Sequence, residues 1–147
     1  MQKLVRDAMT SNPRTIRRDA PVREAALLMA DQDVGSIPVV DSDEILFGMI
    51  TDRDIALRVV AAGLDPWTTT VGEIATTTVS PAYPDERLSE AVEQMVYRQV
   101  RRLPVIDGDR VVGMLAQADV VHDIGDKKAG QLVDAISQPA QPALGIQ

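Results

Sequence analysis

The chain repeats itself. Met29 stands eight residues before the run Ile37-Pro38-Val39-Val40, and Met95 stands eight residues before Leu103-Pro104-Val105-Ile106. The offset of 66 residues also maps Val5 on Val71, Asp19 on Asp85 and Asp41 on Asp107. After one deletion it becomes 65, aligning Gly48-Met49 with Gly113-Met114 and Asp54 with Asp119. A repeated unit that cannot bury its apolar face alone packs on its neighbour. The duplication therefore predicts two copies about a pseudo-twofold axis, with the grooves between them as ligand sites.

Both copies follow one order of elements. A short helical turn (4–9; 71–75) leads to an extended piece (14–16; 79–82) and then to an amphipathic helix. Pro21 suits the first turn of that helix, where its missing N–H costs nothing. Val22, Ala25, Ala26 and Met29 share one face, as do Leu88, Ala91, Val92 and Met95. Two β-branched strands follow (36–41 with 46–50; 102–107 with 111–115), joined by turns containing Asp43 or Gly108-Asp109. A second helix begins near Asp52 or Gln117 and carries Ile55 and Val59, or Val120, Val121 and Ile124. The pattern β-α-β-β-α, twice, is an α+β fold.

The boundaries read as 1–62 for the first motif, 63–70 for the linker, 71–125 for the second motif and 126–147 for a C-terminal helix and mobile tail. Gly63 and Pro66 end the helix before the linker. Trp67, the only tryptophan, is expected to be buried and to staple the linker to the core. Residues 127–136 suit one more helix, and 138–147, with Pro139 and Pro142, a mobile tail.

Fifteen Lys and Arg against 22 Asp and Glu give a net charge of −7. Such a field repels a phosphate backbone, so nucleic acid is not an expected partner, although a local basic spot can hold one small anion. The absence of cysteine excludes disulfides, thiol catalysis and Cys-ligated zinc. No stretch approaches ~20 apolar residues, so no membrane span is expected. The N-terminus lacks an apolar signal core, and a cytoplasmic protein is the expectation.

Ile/Leu-Pro-Val-Val/Ile-Asp, followed by a Gly-apolar-apolar-Thr/Ser-x-x-Asp stretch that opens a helix, resembles the CBS motif named after cystathionine β-synthase. Gly48-Met49-Ile50-Thr51-Asp52-Arg53-Asp54 matches fully. Gly113-Met114-Leu115-Ala116-Gln117-Ala118-Asp119 matches except that Ala116 replaces the hydroxyl residue. Two copies in register, over about residues 5–124, resemble a tandem CBS pair, or Bateman module. Residues 51–55 with Ala61-Ala62-Gly63-Leu64-Asp65-Pro66 are also similar to stand-alone actinobacterial CBS-pair proteins of the hypoxic-response type.

The resemblance implies adenine-nucleotide binding between the copies, with the hydroxyl on phosphate and the carboxylate on the ribose. A carboxylate's two oxygens can accept both ribose hydroxyls. Thr51 also lies at a helix N-terminus, which favours an anion. The same spacing suits a capping box, in which Thr51 and Asp54 only satisfy backbone N–H groups, and the two roles are compatible.

In related modules, such as the γ subunit of AMP-activated kinase, phosphate is met by a basic pair before the Leu-Pro-Val strand of the opposite copy. Arg101-Arg102 hold that position here, and Gly35-Ser36 hold it in the first copy. This transfer gives the Thr51/Asp54 cleft Arg101, Arg102 and Pro104, with Val79 and Ser80 near the base. The opposite cleft receives Asp119, Ala116, Gly35, Ser36 and Pro38, with neither hydroxyl nor arginines. One competent site and one weak or nucleoside-only site per chain follow. Neighbouring residues on a strand point to opposite faces, so both arginines need not serve, and a solvated strand end is the plain alternative.

Met49 and Met114 suit the core or an adenine face. His122, the only histidine, lacks a catalytic partner nearby in sequence, and no cluster has metal-ligand spacing. No P-loop, dinucleotide or nucleophile-elbow motif is present. The expectation is a non-enzymatic regulatory module, without cofactor or metal, that binds AMP, ADP or ATP. The family resemblance implies a homodimer, with the alanine-rich face of Ala25, Ala26 and Ala91 permitting close approach. The alternatives are a stress-response protein that binds an unknown protein partner and no nucleotide, and an S-adenosylmethionine module whose cationic ligand would not need Arg101 and Arg102.

Overall fold

The computed structural model describes residues 2–121 and 134–136. Strand β3 (Ser36–Val40) is buried from Ile37 onward and forms the middle of a sheet ordered β2-β3-β4, with β2 (Ile16–Arg17) parallel and β4 (Leu46–Thr51) antiparallel to it. The second copy has β5 (Arg102–Asp107) antiparallel to β6 (Arg110–Ala116), with Ala82 bridging in parallel to Val105. A proline inside a paired strand would ordinarily remove a ladder bond. Here the Pro104 carbonyl accepts from Ala82 N at 2.9 Å, so its nitrogen faces the same edge, where the parallel neighbour supplies only a single bridge.

The amphipathic helices α2 (Val22–Gln32) and α5 (Leu88–Arg98) cover these sheets, each ending on a left-handed residue, Asp33 or Gln99. Val22, Ala25 and Met29 of α2, and Leu88, Ala91 and Met95 of α5, are buried as the apolar spacing requires. Pro21 lies just outside α2, at its N-cap.

The opening segments of the copies are exchanged. Helix α1 (Val5–Ala8) places Val5 in the second core, against Leu88, Ala91, Met95 and Leu103. The following β1 (Thr10–Ser11) completes the second sheet, Thr10 opposite Met114 and Ser11 opposite Gly113. Reciprocally, α4 (Val71–Ile74) places Val71 and Ile74 in the first core with Ile16, Val22, Ile37 and Ile50. Thr76 then bridges Met49 of β4 through bonds of 2.9 and 2.8 Å.

Both glycines of the repeat make this exchange possible. A Cβ on Gly48 would lie 2.4 Å from the Thr76 carbonyl oxygen, and one on Gly113 would lie 2.5 Å from the Met9 sulfur. Ile45 bridges Arg110, its own counterpart at the offset of 65, so the pseudo-twofold axis passes between them. The α+β arrangement of two pseudo-symmetric motifs is thus the observed one.

Two expectations from sequence are corrected. Trp67 is 63% exposed, not buried. Its ring lies under the Arg23 guanidinium at 4.1 Å, a cation–π contact at the surface end of α2. Ala25 and Ala91 are fully buried in their own cores, so they cannot form an outward docking face, and only Ala26 of that set is exposed. Residues 134–136 are helical, with Ile136 in the second core and the Ala135 carbonyl accepting from Gln99 Nε2 at 3.0 Å. His122, Ile124, the remainder of the expected helix over 127–136 and the tail 138–147 lie outside the described residues.

Candidate functional site

The end of β4 and the helix after it build the first cleft. Helix α3 (Asp52–Ile55) starts on a complete capping box: Thr51 Oγ1 accepts from Asp54 N at 3.0 Å, and Asp54 Oδ2 accepts from Thr51 N at 2.9 Å. The capping role expected from the spacing is therefore realised. Asp54 is 8% exposed, and its second oxygen is also engaged. Thr76 Oγ1 donates to Oδ1 at 3.4 Å, and Arg58 Nε lies 3.8 Å from the same atom. Arg58 Nη1 also donates to the Ile74 carbonyl at 2.8 Å. Arg58 belongs to a π-helical stretch, Ala56–Val60, that continues α3.

The second cleft has the same backbone and different occupants. Asp119, on α6 (Gln117–Val121), accepts from Ala116 N through Oδ2 at 3.0 Å. This is the reciprocal half of a cap whose hydroxyl half is missing at Ala116. Among the described residues Asp119 has no ion pair. Beside it opens a cavity of about 320 Å³, in the range of small-molecule pockets. Ser36, Pro38, Ala116 and Asp119 line it, as the grouping from sequence expected, whereas Gly35 of that grouping is not among its walls.

Its walls also include Thr10, Pro13, Arg14, Leu28, Gln32, Val34, Met114 and Arg102. The second cleft was expected to lack arginines, and it has two. The reason is the register: Arg102 opens β5 directly opposite Ala116 at the end of β6, so it stands beside the carboxylate of its own copy. Arg14 arrives with the exchanged N-terminal segment. Neither guanidinium has an ion pair among the described residues. Two cations against one carboxylate make this a locally positive spot on a chain of net charge −7. Ser36 Oγ is buried without a hydrogen-bond partner at the same wall.

The other expected site residues do not line this cavity. Arg101 is exposed, and its contribution to the fold is a carbonyl that accepts from Gln117 N at 2.8 Å. Pro104 is buried on β5 opposite Met114, and Met49 is buried opposite Pro38. Val79 and Ser80 are half-buried in the segment between the Thr76 bridge and Ala82. Thr10, Pro13 and Arg14 are missing from the sequence-based set. The offset of 66 could have found them, because it maps them on Thr76, Val79 and Ser80. Arg58 was readable as the residue one helical turn after Asp54.

The family profile of the CBS domain matches residues 5–61 and 71–126. The chain belongs to the CBS-domain family. This CBS pair is 40% identical over 134 residues to the CBS domain-containing protein YhcV of Bacillus subtilis, covering 90% of this chain and 94% of that protein. It is 36% identical over 134 residues to Hypoxic response protein 1 of Mycobacterium tuberculosis, covering 91% and 94%. A crystal structure of Hypoxic Response Protein I with two coordinated zinc ions superposes with a TM-score of 0.78 at 35% identity, over 84% of this chain and all of that one. The CBS pair of protein MJ0100, in complex with 5′-methylthioadenosine and S-adenosyl-L-methionine, gives 0.76 at 30% identity, over 86% and 99%.

Among the described residues of this CBS pair, no three His, Cys, Asp or Glu side chains gather as a metal site would require. No helix among them is long and apolar enough to cross a membrane.

Proposed function

We propose that this CBS pair is a non-catalytic regulatory module that binds a phosphate-bearing adenosine ligand, such as AMP, in the Asp119 cleft. One observation carries the reading: the 320 Å³ cavity joins a carboxylate to two guanidiniums, Arg14 and Arg102, and among the described residues none of the three has an ion pair. The Asp119 carboxylate suits the two ribose hydroxyls. The arginines suit phosphate, for which guanidinium geometry is matched. Ser36 Oγ, freed by a side-chain rotation, supplies a further donor. The adenosyl compounds held by the MJ0100 pair support the class of ligand. The two arginines favour an anionic member over a sulfonium.

Binding would bias the relative orientation of the two copies, which requires different affinities in the two states. A thermal-shift panel of AMP, ADP, ATP and S-adenosylmethionine is the test. Stabilisation by the phosphates, weakened by salt, is expected. A response to S-adenosylmethionine alone would overturn the anionic reading, and no response to any of the four would remove the nucleotide role.

A second proposal concerns assembly. Leu57, Val60 and Leu64, at 51%, 72% and 47% exposure, stand on and just after the helix that follows β4. Large apolar side chains exposed together mark interaction surfaces. This stripe, rather than the buried alanines, is the face offered to a second copy or to a regulated partner. The similarity to Hypoxic response protein 1 supports a role in a stress response. Sedimentation is expected to show a wild-type dimer that Val60→Asp dissociates, and a dimer in both would exclude this face.

A further inference from the structure

We propose that Arg58 is the resident occupant of the first cleft, closing Asp54 to a ribose, so that the chain takes one nucleotide instead of two. The inference rests on the nucleotide reading above and adds the residue that sets its stoichiometry. Asp54 is 8% exposed and both its oxygens are engaged within the chain. Arg58 supplies the countercharge at 3.8 Å, and its other arm is held by the Ile74 carbonyl at 2.8 Å. That second bond ties the half-exposed guanidinium to the exchanged α4 segment as well as to its own helix.

A ribose diol would have to take the Oδ1 atom that Thr76 and Arg58 already share. Arg58 also lies on a π-helical stretch, Ala56–Val60, a rare conformation that tends to mark functional positions. The repeat supplies the control. The residue four after Asp119 is Asp123, so the sequence of the second copy offers no arginine at that place. Of the two equivalent carboxylates, Asp54 has an arginine one turn on along its own helix, and among the described residues Asp119 has no ion pair.

Calorimetric titration with AMP of the full chain tests this. The wild type is expected to bind one AMP, Arg58→Met two, and Arg58→Lys one, because lysine restores the countercharge. The double variant Arg58→Met/Asp119→Ala is expected to keep one site, now in the first cleft. If the wild type binds one AMP and folded Arg58→Met also binds one, the Arg58 assignment falls while the nucleotide reading stands. Two sites in the wild type overturn it as well. If neither protein binds AMP, both readings fall, whereas binding by Arg58→Met alone would retain Arg58 as the gate and displace the Asp119 site. Should Arg58→Met fail to fold, Arg58→Gln replaces it, since its amide keeps a donor for the Ile74 carbonyl and carries no charge.

Discussion

The two clefts share a backbone and differ in how their carboxylates are used. Asp54 sits in a complete capping box with a threonine hydroxyl and an arginine on its remaining oxygen. Among the described residues Asp119 accepts one side-chain bond, from Ala116 N, and it faces a cavity lined by Arg14 and Arg102. The fuller match to the family motif therefore belongs to the cleft whose acceptor is already occupied. In a duplicated fold, an acidic residue is available to a ligand according to its neighbours, and the motif alone does not reveal them.

The largest expected effect separates the two arginines of the pair. Arg102→Ala removes a charge-assisted contact of about 1.5–3 kcal/mol, which lowers AMP affinity about tenfold to a hundredfold. Arg101→Ala, at an exposed position, leaves affinity unchanged. Equal losses in a calorimetric comparison would return both residues to one site and break the distinction.

The next effect compares the two exchanged strands. Gly48→Ala drives a Cβ against the rigid Thr76 carbonyl, whereas the nearest obstacle to Gly113→Ala is the flexible Met9 thioether. Urea unfolding should show a loss of about 1–3 kcal/mol at Gly48, as overpacking costs, and a smaller one at Gly113. The reverse order would contradict the close approach at Thr76.

Thr51→Ala sharpens the contrast between the caps. It should cost about 1 kcal/mol of stability, the usual worth of an N-cap hydroxyl, and leave AMP affinity intact. A loss of affinity without a loss of stability would restore Thr51 to the ligand.

The smallest effect lies at the start of α4, where Thr70 N and then the Thr70 hydroxyl donate to Glu73 Oε2 at 2.6 and 3.0 Å. These bonds hold the Glu73 carboxyl below the ordinary glutamate range. Because the folded value is depressed, the stabilisation is full above the unfolded value and is lost as pH falls through the folded one. Glu73→Gln should therefore flatten the acid limb of a stability–pH curve slightly, and an unchanged limb would deny the bond.

The fold was legible because the repeat and the apolar spacing are local signals, as Val22, Ala25 and Met29 show by being buried where their period places them. The strand pairs were legible for the same reason. The exchange of opening segments was not, because Thr10 reaches Met114 across more than a hundred residues. That exchange delivers Arg14 to the Asp119 cleft, where the sequence reading had expected no arginine. Arg102 was placed by transfer between copies, and register with Ala116 decided otherwise. Trp67 followed the general preference of tryptophan for the interior, and a stack under Arg23 on a surface linker overrode it.

Asp119, and not Asp54, is the proposed acceptor of the ligand. Titration of AMP into Asp119→Ala and Asp54→Ala, each checked for native fold, tests it most directly. Abolished binding in Asp119→Ala with wild-type affinity in Asp54→Ala is the predicted result. Abolished binding in Asp54→Ala with Asp119→Ala unaffected would contradict it.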